Sequence, residues 1–269
     1  MGQRLFIAAA TLLVLGVLGV SAASAGGPTR CTGPEGPVTI KGDVIAGPGC
    51  NLSATTVEGN VTVEPGGSLT TNEGTTTVIT GNVQSNRATK IELFASGSIG
   101  GNLQLTGTTE PAEVENSTVR GNLEINNGAS LEVLIETVGG NVQLDNNTAD
   151  FLGIGATKIG GNLEVGNNSL TGSGKHNLAV ENNSVGGNVQ VHNNSLTNNS
   201  AAPNTIIVHH NHVGGNVKVN NNTEEPSLEV VVSENTVTNN LQCQNNKPPP
   251  TDGGMENTAK QKQGQCEKL

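Results

Sequence analysis

The chain contains no tryptophan and no tyrosine, and only three phenylalanines in 269 residues. An ordinary globular core leans on aromatic and long aliphatic side chains, so a core of that kind is excluded. Basic residues are also scarce: 13 Lys and Arg stand against 23 Asp and Glu, for a formal net charge of -10. Nucleic acid and anionic lipid both demand a basic patch, which argues against either as a partner. The charge is thinly spread and serves solubility rather than steering. Low hydrophobicity with many Gly and Asn can also signal disorder, but the apolar residues here are regularly placed.

Long apolar runs are limited to one. Arg4 precedes a stretch from Leu5 to Val20, and SAASA follows, with Ala23 and Ala25 at the small-residue positions of a cleavage site. Residues 1–25 therefore read as a cleaved export signal. The run is shorter than the ~20 residues of a membrane span, and GPTRC around Cys31 is not a lipid-attachment box. The expected product is soluble and secreted, or held at the cell surface, with no membrane partner. Four cysteines remain: Cys31, Cys50, Cys243 and Cys266. Export permits disulfides, and four cysteines allow three pairings. Proximity favours Cys31–Cys50 and Cys243–Cys266, one bridge near each end.

What the chain has in abundance is one phrase. VGGNVQLDNN starts at Val138, and variants start at Ile159, Val185 and Val213. The apolar residue three places before the repeated Asn recurs at Ile40, Val57, Ile79, Ile99, Val119, Val138, Ile159, Val185, Val213 and Val237. The Asn itself falls at Asn60, Asn82, Asn102, Asn122, Asn141, Asn162, Asn188, Asn216 and Asn240, with Asp43 in the first copy. A period near 20 over ten copies is a solenoid signature. Each copy continues apolar–polar–apolar, as in Val142-Gln143-Leu144, and most carry a second run such as Leu178-Ala179-Val180. Such alternation is strand patterning, and the Asn-Asn or Gly-Asn pairs between runs tolerate left-handed turns.

The expected fold is all-β: a single parallel β-helix, right-handed, of about ten coils, or a rod of about 45 Å at the usual strand spacing. One coil cannot bury its own apolar face, whereas stacked coils bury a continuous column of Val, Leu and Ile. The stacked Asn amides should form a hydrogen-bonded ladder through Asn102, Asn122, Asn141, Asn162, Asn188 and Asn216. A second ladder is expected five residues later, at Asn127, Asn146, Asn167, Asn193, Asn221 and Asn245. The domain reading is a signal over 1–25, an N-terminal cap and first coil over 26–56, coils over 57–246, and a C-terminal cap or tail over 247–269. Exposed coil ends invite aggregation, and the cysteine pairs sit where caps belong, with the turn-rich tail folding back over the end. Longer intervals after Ile159 predict long loops near Lys175 and Pro203 as the variable surface.

The pattern resembles secreted parallel β-helix proteins over essentially the whole chain after the signal, and its coil rhythm is similar to that of the bactofilins, a polymer-forming family. The segment from Asn240-Leu241-Gln242-Cys243 to Gly264-Gln265-Cys266 resembles the tail of small exported actinobacterial proteins of uncharacterised function. Bactofilins lack a cleaved signal and cysteine caps, so the resemblance implies the fold and not polymerisation.

Chemistry-bearing residues are sparse. His209, His210 and His212 in VHHNHV could take zinc or copper. Alternation puts His210 and His212 on one face and His209 on the other, with no carboxylate at ligand spacing, so solvent-facing side chains are the plainer reading. Carbohydrate-active β-helix enzymes need clustered carboxylates. The four Asp after the signal, Asp43, Asp145, Asp150 and Asp252, are scattered, and sugar-stacking aromatics are absent. Glu124 and Glu164 share an outward column two coils apart, roughly 10 Å by coil spacing. That column runs Thr62, Gln84, Gln104, Glu124, Gln143, Glu164, Gln190, Lys218 and Gln242, too long and charged for an ice-binding lattice. The Asn-x-Ser/Thr triplets at Asn51, Asn116, Asn146, Asn167 and Asn193 read as by-products of the turns rather than glycan acceptors. The calcium-binding glycine-aspartate nonapeptide is missing. The expectation is a monomeric, non-enzymatic structural or adhesive solenoid with no cofactor, contacting extracellular or cell-wall glycans; the alternatives are a polysaccharide-active enzyme and an ice-binding protein.

Overall fold

Alternating β-branched residues do build strands, and the repeat stacks them. The computed structural model describes residues 27–94, 97–171, 178–197, 205–224 and 229–269. The expected signal and the loops around Lys175 and Pro203 lie outside the described residues. Every regular element among the described residues is a strand, so no helix there is long and apolar enough to cross a membrane.

One coil shows the plan. Thr137–Val138 leads through a Gly-Gly-Asn corner into Val142–Asp145; Asn146 and Asn147 turn the chain into Thr148–Ala149; Leu152–Gly155 closes the circuit. Successive coils pair in parallel and in register, so that Leu144 lies over Val165 and Val191, and Ile154 over Val180 and Val208. The first and second strands of all coils form one 21-stranded sheet, and the third strands a nine-stranded sheet. The two-residue strands starting with Thr148–Ala149 add a four-stranded sheet found only in the later coils.

Inward positions are mostly Val, Leu, Ile and Ala, fully or almost fully buried from Val44 to Leu241, with Thr71 and Ser85 among them in the early coils. The Gly-Gly-Asn corner has a steric reason. A Cβ on Gly161 would lie 2.3 Å from Asn141 Oδ1 of the preceding coil, so the ladder itself requires glycine beside it.

The expected first ladder is present. Each Oδ1 accepts the backbone N–H of the next member, at 2.8 Å for Asn122 to Asn102, Asn141 to Asn122, Asn162 to Asn141 and Asn188 to Asn162, and 2.9 Å for Asn216 to Asn188. Asp43 starts it, accepting from the Asn60 N–H at 2.7 Å and its amide at 3.0 Å. A carboxylate suits that place because the first member has only to accept.

The second ladder is displaced by one residue from its expected place. Asn127, Asn146, Asn167, Asn193, Asn221 and Asn245 are exposed and adopt left-handed backbone, φ between 54° and 57° for the first five and 53° for Asn245. Their role is to turn the chain, and only side-chain contacts such as Asn193 to Asn167 link them. The following residues, Asn147, Asn168, Asn194, Asn222 and Asn246, are buried and carry the inner ladder. Asn168 Nδ2, for example, donates to Asn194 Oδ1 at 2.9 Å and to Leu144 O at 3.0 Å. A third ladder, not anticipated, joins Asn183, Asn211, Asn235 and Asn257.

Both ends are stapled as expected, by Cys31–Cys50 and Cys243–Cys266, whose sulfurs are buried in line with the core. The tail does not fold back across the end. Thr258–Gly264 pairs in parallel with Thr236–Gln244 and adds another coil. Gln265 Oε1 then accepts from Asn246 and ends the inner ladder, as Asn257 ends the third.

Candidate functional site

The outward columns are the first place to look for chemistry. Register confirms that Gln84, Gln104, Glu124, Gln143, Glu164, Gln190, Lys218 and Gln242 lie one above another. Their heads interact along the rod: Gln104 Nε2 donates to Glu124 Oε2 at 3.3 Å, and Asn126 Nδ2 to Glu124 Oε1 at 2.6 Å. Glu124 and Glu164 stay separated by the coil that carries Gln143, as the spacing implied.

Two places that hold histidine, among the described residues, nonetheless bring titratable groups together across coils. On the second strand, Asp145, Gly166 and His192 follow one another in register. Gly166 leaves a gap into which the His192 ring lies; a Cβ there would sit 2.7 Å from His192 Nε2 and 2.8 Å from Asp145 Oδ1. His192 Nε2 is 2.9 Å from Glu164 Oε1, and Asp145 Oδ2 accepts from Gln143 Nε2 at 2.8 Å. Asp145 is only 6% exposed, and its Oδ1 has no hydrogen-bond partner among the described residues. Glu164, which meets the His192 ring, and Asp145, beside the same gap, thus come into one neighbourhood, a relation that linear spacing concealed.

The second gathering involves two of the three predicted histidines. His209 and His210 meet with ring centroids 4.4 Å apart, and Glu234 reaches both, its Oε2 3.3 Å from His209 Nε2 and from His210 Nδ1. The strand alternation expected for this segment fails because the strand ends at His209 and His210 takes a left-handed conformation, φ 54°. His212 is exposed on the next strand and stands apart from the cluster. The missing carboxylate does exist, one coil later. Aligning VSENTV with VHHNHV places Glu234 under His210 and Ser233 under His209, the signal that a reading within one copy overlooks.

A third feature is purely acidic. Glu92, Glu113 and Glu132 occupy neighbouring coils in one outward column of the third strand. Burial pushes the nearby Glu115 carboxyl above its usual range, and Glu132, Glu113 and Glu73 push it further. Lys90 relieves part of this charge through its 2.7 Å ion pair with Glu92, and that hydrogen bond holds its ammonium above the usual lysine value.

Comparison with known proteins finds no matching family model, no matching curated protein and no matching solved structure.

Proposed function

We propose that the protein is an exported structural or adhesive rod, without catalytic activity, that meets cell-wall or matrix glycans through its polar columns. The observation that carries this reading is the parallel register from Val44–Ala46 to Thr236–Gln244, which Thr258–Gly264 continues with one shift between Val237 and Asn240. A stack held by a continuous core and by amide ladders repeats its outward side chains at one coil spacing, roughly 4.8 Å, and offers hydrogen-bonding groups at fixed intervals. Two disulfides fit an oxidising compartment outside the cell. The rod works as a monomer, since its last strand carries exposed Lys260 and Gln261, and charged edges discourage strand addition.

The grouping of Asp145, Glu164 and His192 favours a second reading, a polysaccharide-active enzyme. One experiment separates the two: pull-down of the purified protein with insoluble cell-wall and plant polysaccharides, with the supernatants assayed for released reducing or unsaturated ends. Depletion without release is expected. Release that Glu164→Gln abolishes would establish the enzyme instead, and neither depletion nor release across a broad panel would remove glycans from the proposal.

A further inference from the structure

The paired histidines deserve a chemical account, because neighbours on a strand ordinarily diverge. The third-strand corner brings them together. His210 and Glu234 occupy equivalent left-handed positions in successive coils, φ 54° and 52°, where the coil before them has Asn182. The residue after each is a buried ladder asparagine: Asn211 donates its backbone N–H to Asn235 Oδ1 at 3.1 Å and its side-chain amide to the same oxygen at 3.0 Å. Those bonds lock one corner directly over the other. His210 and Glu234 are therefore held in place by the fold rather than by each other.

The geometry points to a binding site for one divalent ion of the zinc and copper class, held by His209 Nε2, His210 Nδ1 and Glu234 Oε2. The three atoms are mutually 2.7, 3.3 and 3.3 Å apart. A circle through them has a radius of about 1.8 Å, so an ion at the ~2.0–2.1 Å typical of imidazole and carboxylate ligands sits about 1 Å outside their plane. His210 is exposed, which leaves the outer side of that ion open to solvent. Ser233, fully buried, has its Oγ 2.9 Å from His209 Nδ1. With the Nδ1 proton donated to Ser233, the Nε2 lone pair faces the ion; such an outer partner commonly fixes a metal-binding ring. Without an ion, the one N–H left among the three atoms is at His210 Nδ1, facing two acceptors; binding shifts His210 to its Nε2–H tautomer, which frees the Nδ1 lone pair for the ion. Two imidazoles and one carboxylate suit first-row transition ions, whereas calcium and magnesium seek shells of oxygen.

The test is calorimetric titration of the full chain with zinc chloride, repeated in millimolar calcium. One saturable equivalent that calcium does not displace is expected. Glu234→Gln and His210→Asn should each weaken binding at least about tenfold, and Ser233→Ala by about tenfold through release of the ring. His212→Asn should leave it unchanged. His210→Asn copies the Asn182 corner, so its melting in EDTA should match the parent and it carries the test if another variant misfolds. Absence of saturable zinc binding would overturn the site, as would affinity unchanged in both Glu234→Gln and His210→Asn, or lost equally in His212→Asn.

Discussion

The coils before Asn147 and those after it turn their corners with different chemistry. In the early coils the inner corner column is filled by Ala88, Thr108 and Gly128; from there on it is Asn147, Asn168, Asn194, Asn222 and Asn246. The other buried corner changes one coil later, from Thr55, Thr77, Ser117 and Thr157 to Asn183, Asn211, Asn235 and Asn257. A hydroxyl donates to one carbonyl, in its own coil as from Thr157 Oγ1 to Gly155 O at 2.9 Å, or in the preceding coil as from Thr77 Oγ1 to Leu52 O at 2.8 Å. A carboxamide has both donor and acceptor on one planar group, so it can bond a carbonyl and still pass a bond to the next coil. The outer ladder, by contrast, runs through both halves. Coil length changes where Thr157 gives way to Asn183: ladder members lie 17 to 22 residues apart up to Asn162, and 26, 28 and 24 apart after it. Amide corners thus keep the stack in register where successive ladder members are farthest apart in sequence.

The difference predicts unequal sensitivity to loss of an amide. Asn194 is fully buried, accepts two bonds from Asn168, and donates to Val165 O and Asn222 Oδ1. Asn194→Ala strands several of these groups without solvent, at about 1–3 kcal/mol for each left unpaired. We expect a total loss of roughly 3–4 kcal/mol in urea unfolding. Asn141→Ala, in the exposed outer ladder, lets water replace the lost bonds and should cost only about 1 kcal/mol. Equal losses would show that burial of the amide is irrelevant and would dissolve the distinction between the inner and outer ladders.

The ends come next in size. The bridges span 19 residues for Cys31–Cys50 and 23 for Cys243–Cys266. Loop-closure entropy assigns each about 3 kcal/mol. Replacing Cys243 and Cys266 together by Ala should lower stability by that amount. It should also speed amide exchange in Thr258–Gly264, the strand that this bridge ties to Cys243. Exchange that instead accelerated throughout the later coils would mean that the ladders do not hold without the staple.

Much of this was legible in advance, and the failures share a cause. The period, the inward column, the outer ladder and both disulfide pairings follow from regularities along one line of sequence. The inner ladder was misplaced by one residue because consecutive asparagines such as Asn193 and Asn194 look alike, while left-handed backbone makes the first a turn residue and sends only the second inward. His210 was misdirected for the same reason, since alternation ceases to apply where φ becomes positive. The closeness of Glu234 to His210 and of Asp145 to His192 was missed because 24 and 47 residues separate them; only the stacking of coils makes them neighbours.

The smallest expected effect concerns the face that distinguishes the halves from outside. Along the third-strand outward column, the early coils carry Glu92, Glu113 and Glu132, and the later ones Gly153, Ala179, Ile207 and Val231. Beside the acidic stretch, Glu115 has its carboxyl raised by burial, then by Glu132, Glu113 and Glu73, above the 4.5 of an unperturbed glutamate. The folded state therefore holds this proton more tightly than the unfolded chain does. Its contribution to stability is fully present below pH 4.5 and is lost as pH rises through the raised folded value. At neutral pH Glu115→Gln should then stabilise the protein, by no more than about 0.5 kcal/mol because solvent screens the site. The gain should shrink in high salt and disappear near pH 4, where the parent is protonated. Thermal melts at three pH values would check it. A gain that persisted in acid would assign the effect to packing rather than charge.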